Sequence, residues 1–173
     1  MNISFQKDAG AYVELVNGLN TQTKANTTAV DNVAITGKTV DRKVGAASSA
    51  ANSLWQGSGK VGVQYDYSLA STVTLTLTGV LQHTSNSTGT WATLTDKDGS
   101  SNFSVTVGTT GSTATQTGGS VLHTDLDLAK AKRYVRVKIT PNWSATSTAG
   151  GSDVDLGAQW ALAGYNVLPG STS

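Results

Sequence analysis

The chain contains no cysteine. Disulfides, thiolate catalysis and zinc–thiolate sites are excluded together, while the redox compartment stays open, because a chain without thiols tolerates any. There is a single glutamate, Glu14, so no pair of glutamates can build a glycosidase site within one chain; only an aspartate pair could. The two histidines, His83 and His123, come with no G-x-S-x-G elbow or Ser-His-Asp spacing. An isolated histidine of this kind reads first as a structural one. Charge is scarce, at 13% of residues against about 25% in an average domain. The balance is even, 12 basic against 11 acidic residues for a net +1. A nonspecific nucleic-acid binder draws its affinity from a large basic excess, so nucleic acid is not an expected partner. No run approaches the roughly 18 apolar residues of a membrane-spanning helix, and no membrane partner is expected. The opening M-N-I-S-F-Q-K-D-A-G lacks the basic region and apolar run of a secretion signal. Synthesis in a cytoplasm, without export by the usual route, is the expectation.

Ser, Thr, Gly and Asn fill the gap left by charge. Threonine favours strands; the other three favour turns. With 38% hydrophobic residues, four Trp and five Tyr over 173 residues, one folded domain with a real core is expected rather than a disordered chain. The alternation of apolar and polar residues gives its class. Residues 127–141 read D-L-A-K-A-K-R-Y-V-R-V-K-I-T-P, with Val135, Val137 and Ile139 alternating with Arg136 and Lys138. That period of two marks a strand with one buried and one wet face. Residues 71–78, S-T-V-T-L-T-L-T, alternate as cleanly, and Gly79 then suggests a bulge or bend. Val61, Val63, Tyr65 and Tyr67 share one face, as do Val154, Leu156, Ala158, Trp160 and Leu162. A short strand at 91–95, a turn at Asp96-Lys97-Asp98-Gly99 and a strand through Phe103, Val105 and Val107 complete the middle. Residues 108–119 read as a loop. Residues 121–128 read as the hairpin partner of 133–140. Eight or nine strands with turns between them, and no amphipathic helix, predict an all-β sandwich of jelly-roll type.

The first 50 residues are less regular. Residues 11–16 suggest a short strand ended by Asn17-Gly18, and Val30, Val33 and Ile35 suggest a second. Residues 45–53 are a small-residue linker. The predicted organisation is an extended N-terminal arm over 1–50 with one or two short strands, a sandwich over 51–169 and a tail over 170–173.

Several patterns invite chemistry. Asp96-Lys97-Asp98-Gly99 resembles the start of a calcium loop, but its twelfth position is Val107, not a bidentate glutamate. Gly57-Ser58-Gly59-Lys60 lacks the spacing of a phosphate loop. Asp125 with Asp127, and Asp153 with Asp155, place carboxylates about 7 Å apart on one strand face. Such pairs could serve a calcium ion or a glycosidase, but alternating Asp on a strand is more simply its wet face. Lys130, Lys132, Arg133, Arg136 and Lys138 form the one basic cluster. It reads either as cross-strand ion pairing with Asp125 and Asp127 or as a docking face for an acidic partner. No cofactor is expected.

Four segments carry a resemblance: I-T-G-K-T-V-D-R (35–42), L-Q-H-T-S-N-S-T-G-T-W-A-T-L (81–94), D-L-D-L-A-K-A-K-R-Y-V-R-V-K-I-T-P (125–141) and L-A-G-Y-N-V-L-P (162–169). They resemble small β-rich virion proteins of tailed bacteriophages, most of all capsid decoration or cement proteins. The resemblance spans roughly residues 35–169, and its motifs mark strands and turns. It implies a non-enzymatic protein on the capsid exterior that stabilises the shell by bridging major capsid protein subunits, as a homo-oligomer, dimer or trimer. It carries no catalytic residues. On this reading Phe5 and Tyr12 in the arm, and Arg136 and Lys138 on the basic strand, are the candidate interface residues. A tail or head–tail joining protein is the nearest alternative. A jelly-roll carbohydrate-binding module, stacking sugars on Trp91 or Trp143, is the alternative from another class.

Overall fold

The computed structural model describes residues 13–44, 54–110, 112–145 and 151–165. Eleven strand segments follow in order: β1 (Glu14–Ala25), β2 (Ile35–Thr36), β3 (Val40–Asp41), β4 (Lys43–Val44), β5 (Leu54–Leu69), β6 (Leu75–Thr84), β7 (Ala92–Leu94), β8 (Asn102–Val107), β9 (Gln116–Asp127), β10 (Tyr134–Trp143) and β11 (Asp153–Tyr165). Among the described residues there is no helix.

The first sheet runs β1-β11-β5-β9, with β4 on the first residues of β5. The second runs from β2 and β3, end to end, through β10 and β6 to β7 and β8, also end to end. All pairings are antiparallel. Counting β2 with β3 and β7 with β8 as single rows, and setting aside the two-residue β4 that pairs beside the start of β5, the chain lays down eight rows in sequence. The first sheet then reads 1-8-3-6 and the second 2-7-4-5. First lies beside last, second beside seventh, third beside sixth and fourth beside fifth. A long antiparallel ribbon wrapped around itself gives this order, and it is the jelly roll. Both inner faces are apolar: Val61, Val63, Leu156 and Trp160 from the first sheet meet Leu75, Leu77, Val137 and Ile139 from the second, all fully buried.

Where the ribbon passes from the first sheet to the second, between β9 and β10, Arg42 is buried at 3% exposure. Its Nε donates to the Lys132 carbonyl at 2.9 Å, and its Nη1 to the carbonyls of Gln56 at 2.5 Å and Leu128 at 3.0 Å. Its Nη2 donates to the Ala131 carbonyl. The backbone of Arg42 joins both sheets as well: its N–H bonds the Arg133 carbonyl and its carbonyl accepts from Gln56 N–H. Burial lowers the guanidinium pKa and neighbouring Asp41 raises it. The ordinary value lies so far above neutrality that the group stays charged.

The sandwich closes on another side by backbone contact. Gly37 N–H bonds the Val137 carbonyl at 2.8 Å and Lys38 N–H bonds the Gly18 carbonyl at 2.6 Å. A side chain at Gly37 would stand 2.5 Å from the Gly18 oxygen, and one at Gly18 would stand 2.5 Å from the Trp160 ring. Register shifts in β1 on either side of Leu19 turn the Gly18 carbonyl toward the second sheet.

Several expectations are corrected. Residues 14–25 form one long strand of the sandwich, and 35–44 add β2, β3 and β4 to it. The arm expected over 1–50 therefore does not extend through 14–44. Asn17-Gly18 is a bulge, not a turn. The linker at 45–53 and the ends 1–12 and 166–173 lie outside the described residues. β9 pairs with β5, not with β10; residues 128–133 cross between sheets because Arg42 holds their carbonyls. β9 starts at Gln116, inside the expected loop. β6 starts at Leu75, because Thr72 takes a left-handed φ of 67° in the preceding turn. Gly79 makes no bulge: the register with β10 is continuous, and the Phe103 ring lies over Gly79.

Arg42→Met is expected to take the guanidinium from four carbonyls, of which Leu128 keeps the Ala131 N–H and the other three lose this donor. At about 1–3 kcal/mol for each buried unsatisfied group that water cannot reach, a loss of at least about 3 kcal/mol in urea unfolding follows. Arg42→Lys, with a single ammonium, recovers only part. A loss under about 1 kcal/mol for Arg42→Met would remove Arg42 from this role.

Candidate functional site

Each sheet turns its second face outward, and the two outer faces differ. On the first sheet, strand alternation sends Asp66, Asp125, Asp127, Asp153 and Asp155 outward, all exposed, with Lys60 as the one outward cation of the paired strands. Lys60 Nζ lies 3.5 Å from Asp125 Oδ1, both side chains about half exposed. An ion pair that open to water contributes little. Asp127 accepts from the Ala129 N–H at 2.9 Å, ending β9. Asp66 and Asp155 sit directly opposite each other in the β5–β11 register. Like charges in that arrangement oppose strand pairing; the Thr23 hydroxyl donates to Asp155.

Beside this acidic end the face is hollowed. Gly62 and Gly157 carry no side chains, and two adjoining depressions of about 270 and 220 Å³ share Gly62, Val121 and Gln159. Leu15, 65% exposed, and Val121, 53% exposed, stand at their margins.

The second sheet presents Arg136 and Lys138 on successive outward positions of β10. The Arg136 guanidinium lies 4.0 Å over the Trp91 ring, a cation–π contact, and its Nε donates to Gln82 Oε1 at 2.8 Å. Partial burial lowers its pKa. Arg133 is engaged elsewhere: its Nε and Nη2 grip Asp41, at 3.0 and 2.6 Å. Burial works to raise the Asp41 pKa, but the hydrogen bonds from Arg133 and the Lys43 N–H, with both charges, bring it below the ordinary 3.8.

At the end of the sandwich under Arg42 an open pocket of about 430 Å³ is lined by Gln56, Ser85, Leu128, Ala131, Lys132 and Arg133 among others. Its guanidiniums are committed to backbone carbonyls and to Asp41, so it is a structural hollow. His83 stands nearby and accepts from the Lys132 N–H at Nδ1, 3.3 Å. Burial, and then the charges of Lys132 and Arg42, lower its pKa below 6.5.

Of the four candidate interface residues, Phe5 and Tyr12 lie outside the described residues. Arg136 and Lys138 share one face, as the alternation requires. They do not oppose Asp125 and Asp127, which sit on the other sheet against Ser58 and Lys60. Trp143 is 3% exposed and cannot stack on a sugar; Trp91 is half-buried under Arg136. The aspartate pairs lie on an open sheet rather than in a cleft, which removes the glycosidase reading. Asp96 caps its own turn, accepting from the N–H groups of Asp98 and Ser100. Among the described residues no group of three or more metal-ligating side chains converges. Two features escaped the sequence reading: the role of Arg42, and the separation of charge between the faces. Only the pairing of β9 with β5 reveals the second.

No family model and no curated protein matches the chain. Among solved structures it is similar to one described as the structure of infectious bursal disease virus, Gx strain, at 12% identity and TM-score 0.44 over 92% of this chain and 33% of that one. A mutant VP2 protein of infectious bursal disease virus, from derived T=1 particles, is similar at 11% identity and TM-score 0.39, over 87% of this chain and 31% of that one. The chain thus spans about a third of their length. Likeness at this level does not carry a function.

A folded pKa below the unfolded 6.5 means that His83 favours folding fully above about pH 6.5, and that this contribution is lost as pH falls through the folded value. The Asp41 contribution is lost only lower, as pH falls below 3.8. Melting temperature is therefore expected to fall from about pH 7.5 to about pH 5, and His83→Asn to flatten that fall. An unchanged slope in the variant would place the sensitivity elsewhere.

Proposed function

We propose that this chain is a non-enzymatic structural protein of a bacteriophage virion. It decorates the capsid exterior and stabilises the shell by bridging major capsid protein subunits. The row order 1-8-3-6 against 2-7-4-5 carries the reading. Jelly rolls of two sheets build viral capsid and lectin domains, and the choice between those uses falls to particular residues. The carbohydrate-binding alternative stacks sugars on Trp91 or Trp143, and here Trp143 is buried and Trp91 lies beneath Arg136. The segments that resemble capsid decoration proteins also fall on parts of the wrap. Residues 35–42 run from β2 to Arg42, and 125–141 run from the end of β9 through the Arg42-held crossing into β10.

The mechanism is linkage. A rigid body that binds across neighbouring subunits, and not to a free subunit, adds its binding free energy to the assembled shell alone. That amounts to about 2.7 kcal/mol per site at a hundredfold excess over Kd. A sandwich with two broad outer faces suits the task, and no chemistry is asked of it.

Shells of the parent virus purified without this protein provide the test. Added chain is expected to co-sediment with them, to saturate at a fixed ratio and to raise their melting temperature in calorimetry. No co-sedimentation at about 50 µM, a concentration that would reveal even a weak contact, would reject the reading.

A further inference from the structure

The two outer faces of this sandwich carry opposite charge. The first sheet presents five carboxylates against Lys60, and the second presents Arg136 and Lys138, with Arg133 already held by Asp41. Neither face can lie on its own copy without setting like charges together. First face on second face brings opposite charges into contact. We propose that the second-sheet face of one copy docks, through Arg136 and Lys138, on the first-sheet face of another copy around Asp66 and Asp155.

Details on each side suit this contact. Asp66 and Asp155 face each other across β5 and β11. The Asp66 carboxylate leans over Gly119 on β9 and the Asp155 carboxylate accepts from Thr23 on β1, and each keeps acceptor capacity for a guanidinium laid across β5 and β11. Arg136 is already oriented by Trp91 and by the Nε bond to Gln82, and its Nη groups make no hydrogen bond among the described residues. Little side-chain freedom is left to lose on binding. Val80, half-buried across from Lys138, offers an apolar counterpart to Leu15 and Val121. A face four strands wide and ten residues long measures about 19 by 34 Å. Contact over it would bury about 1,300 Å² in total, within the range of specific interfaces. The faces lie on opposite sides of one sandwich, so the contact is head-to-tail. Each added copy leaves one acidic and one basic face open, and association proceeds to a ring or a filament. The inference stands apart from the capsid reading, since it concerns only copies of this chain.

The test uses the intact chain in sedimentation velocity. The wild type at about 100 µM and low salt is expected to form oligomers that grow with concentration and dissociate at about 1 M salt. Asp66→Asn with Asp155→Asn, and separately Arg136→Gln with Lys138→Gln, are each expected to weaken self-association at least tenfold. Lys138→Gln alone, which leaves the Trp91 stack intact, is expected to weaken it measurably. Mixed one to one, the two double variants restore one complete contact per pair and stop at heterodimers. A wild type that stays monomeric, a double variant that associates like wild type, or a mixture that forms no dimer would each overturn the proposal.

Discussion

The buried guanidinium of Arg42 is the interaction on which this fold turns. Removing a charge from water opposes folding strongly unless its donors find partners. Here the partners are backbone carbonyls of Gln56, Leu128, Ala131 and Lys132 where the ribbon changes sheets, of which Leu128 also accepts from the Ala131 N–H. The two needs satisfy each other. A tight β9–β10 hairpin would have used those carbonyls itself and kept both strands in one sheet. With Arg42 in place, β9 joins β5 and β10 joins β6, and the ribbon wraps.

That wrap decides what the surface can do. It places every aspartate of β9 and β11 on one outer face and the cations of β10 on the other, so a chain of net charge +1 has two faces of opposite sign. It buries Trp143 and leaves Trp91 serving as a platform for Arg136. The carboxylates are spread along an open sheet rather than gathered in a cleft.

Much of the body was legible in the sequence. Val135, Val137 and Ile139 between Arg136 and Lys138 are buried as their alternation demands, and so are Leu75, Leu77, Val61, Val63, Leu156 and Trp160. Period-two patterns survive in any sheet with one dry face, so strand and face were both readable. Partnership was not. Residues 121–128 and 133–140 look like a hairpin because they are adjacent and short-linked, and nothing local says that an arginine some 90 residues upstream claims the turn carbonyls. β1 was masked by Asn17-Gly18, which has the chemistry of a turn and here serves a bulge against Trp160. Gly79 looked like a bend because a glycine interrupts an alternation; its reason is a ring from the next strand, Phe103, invisible until strands are paired. The two-sided charge was hidden for the same reason.

The central claim is that residues 14–25 and 35–41 are rows of the jelly roll rather than an arm awaiting a partner. Amide hydrogen exchange of the isolated chain, followed by NMR, tests it directly. The account predicts slow exchange, comparable to β10, for the β1 amides bonded to β11 and for Gly37 and Lys38, whose N–H groups bond Val137 and Gly18. Exchange at unprotected rates across residues 14–41, beside a protected β5–β11 pair, would contradict it.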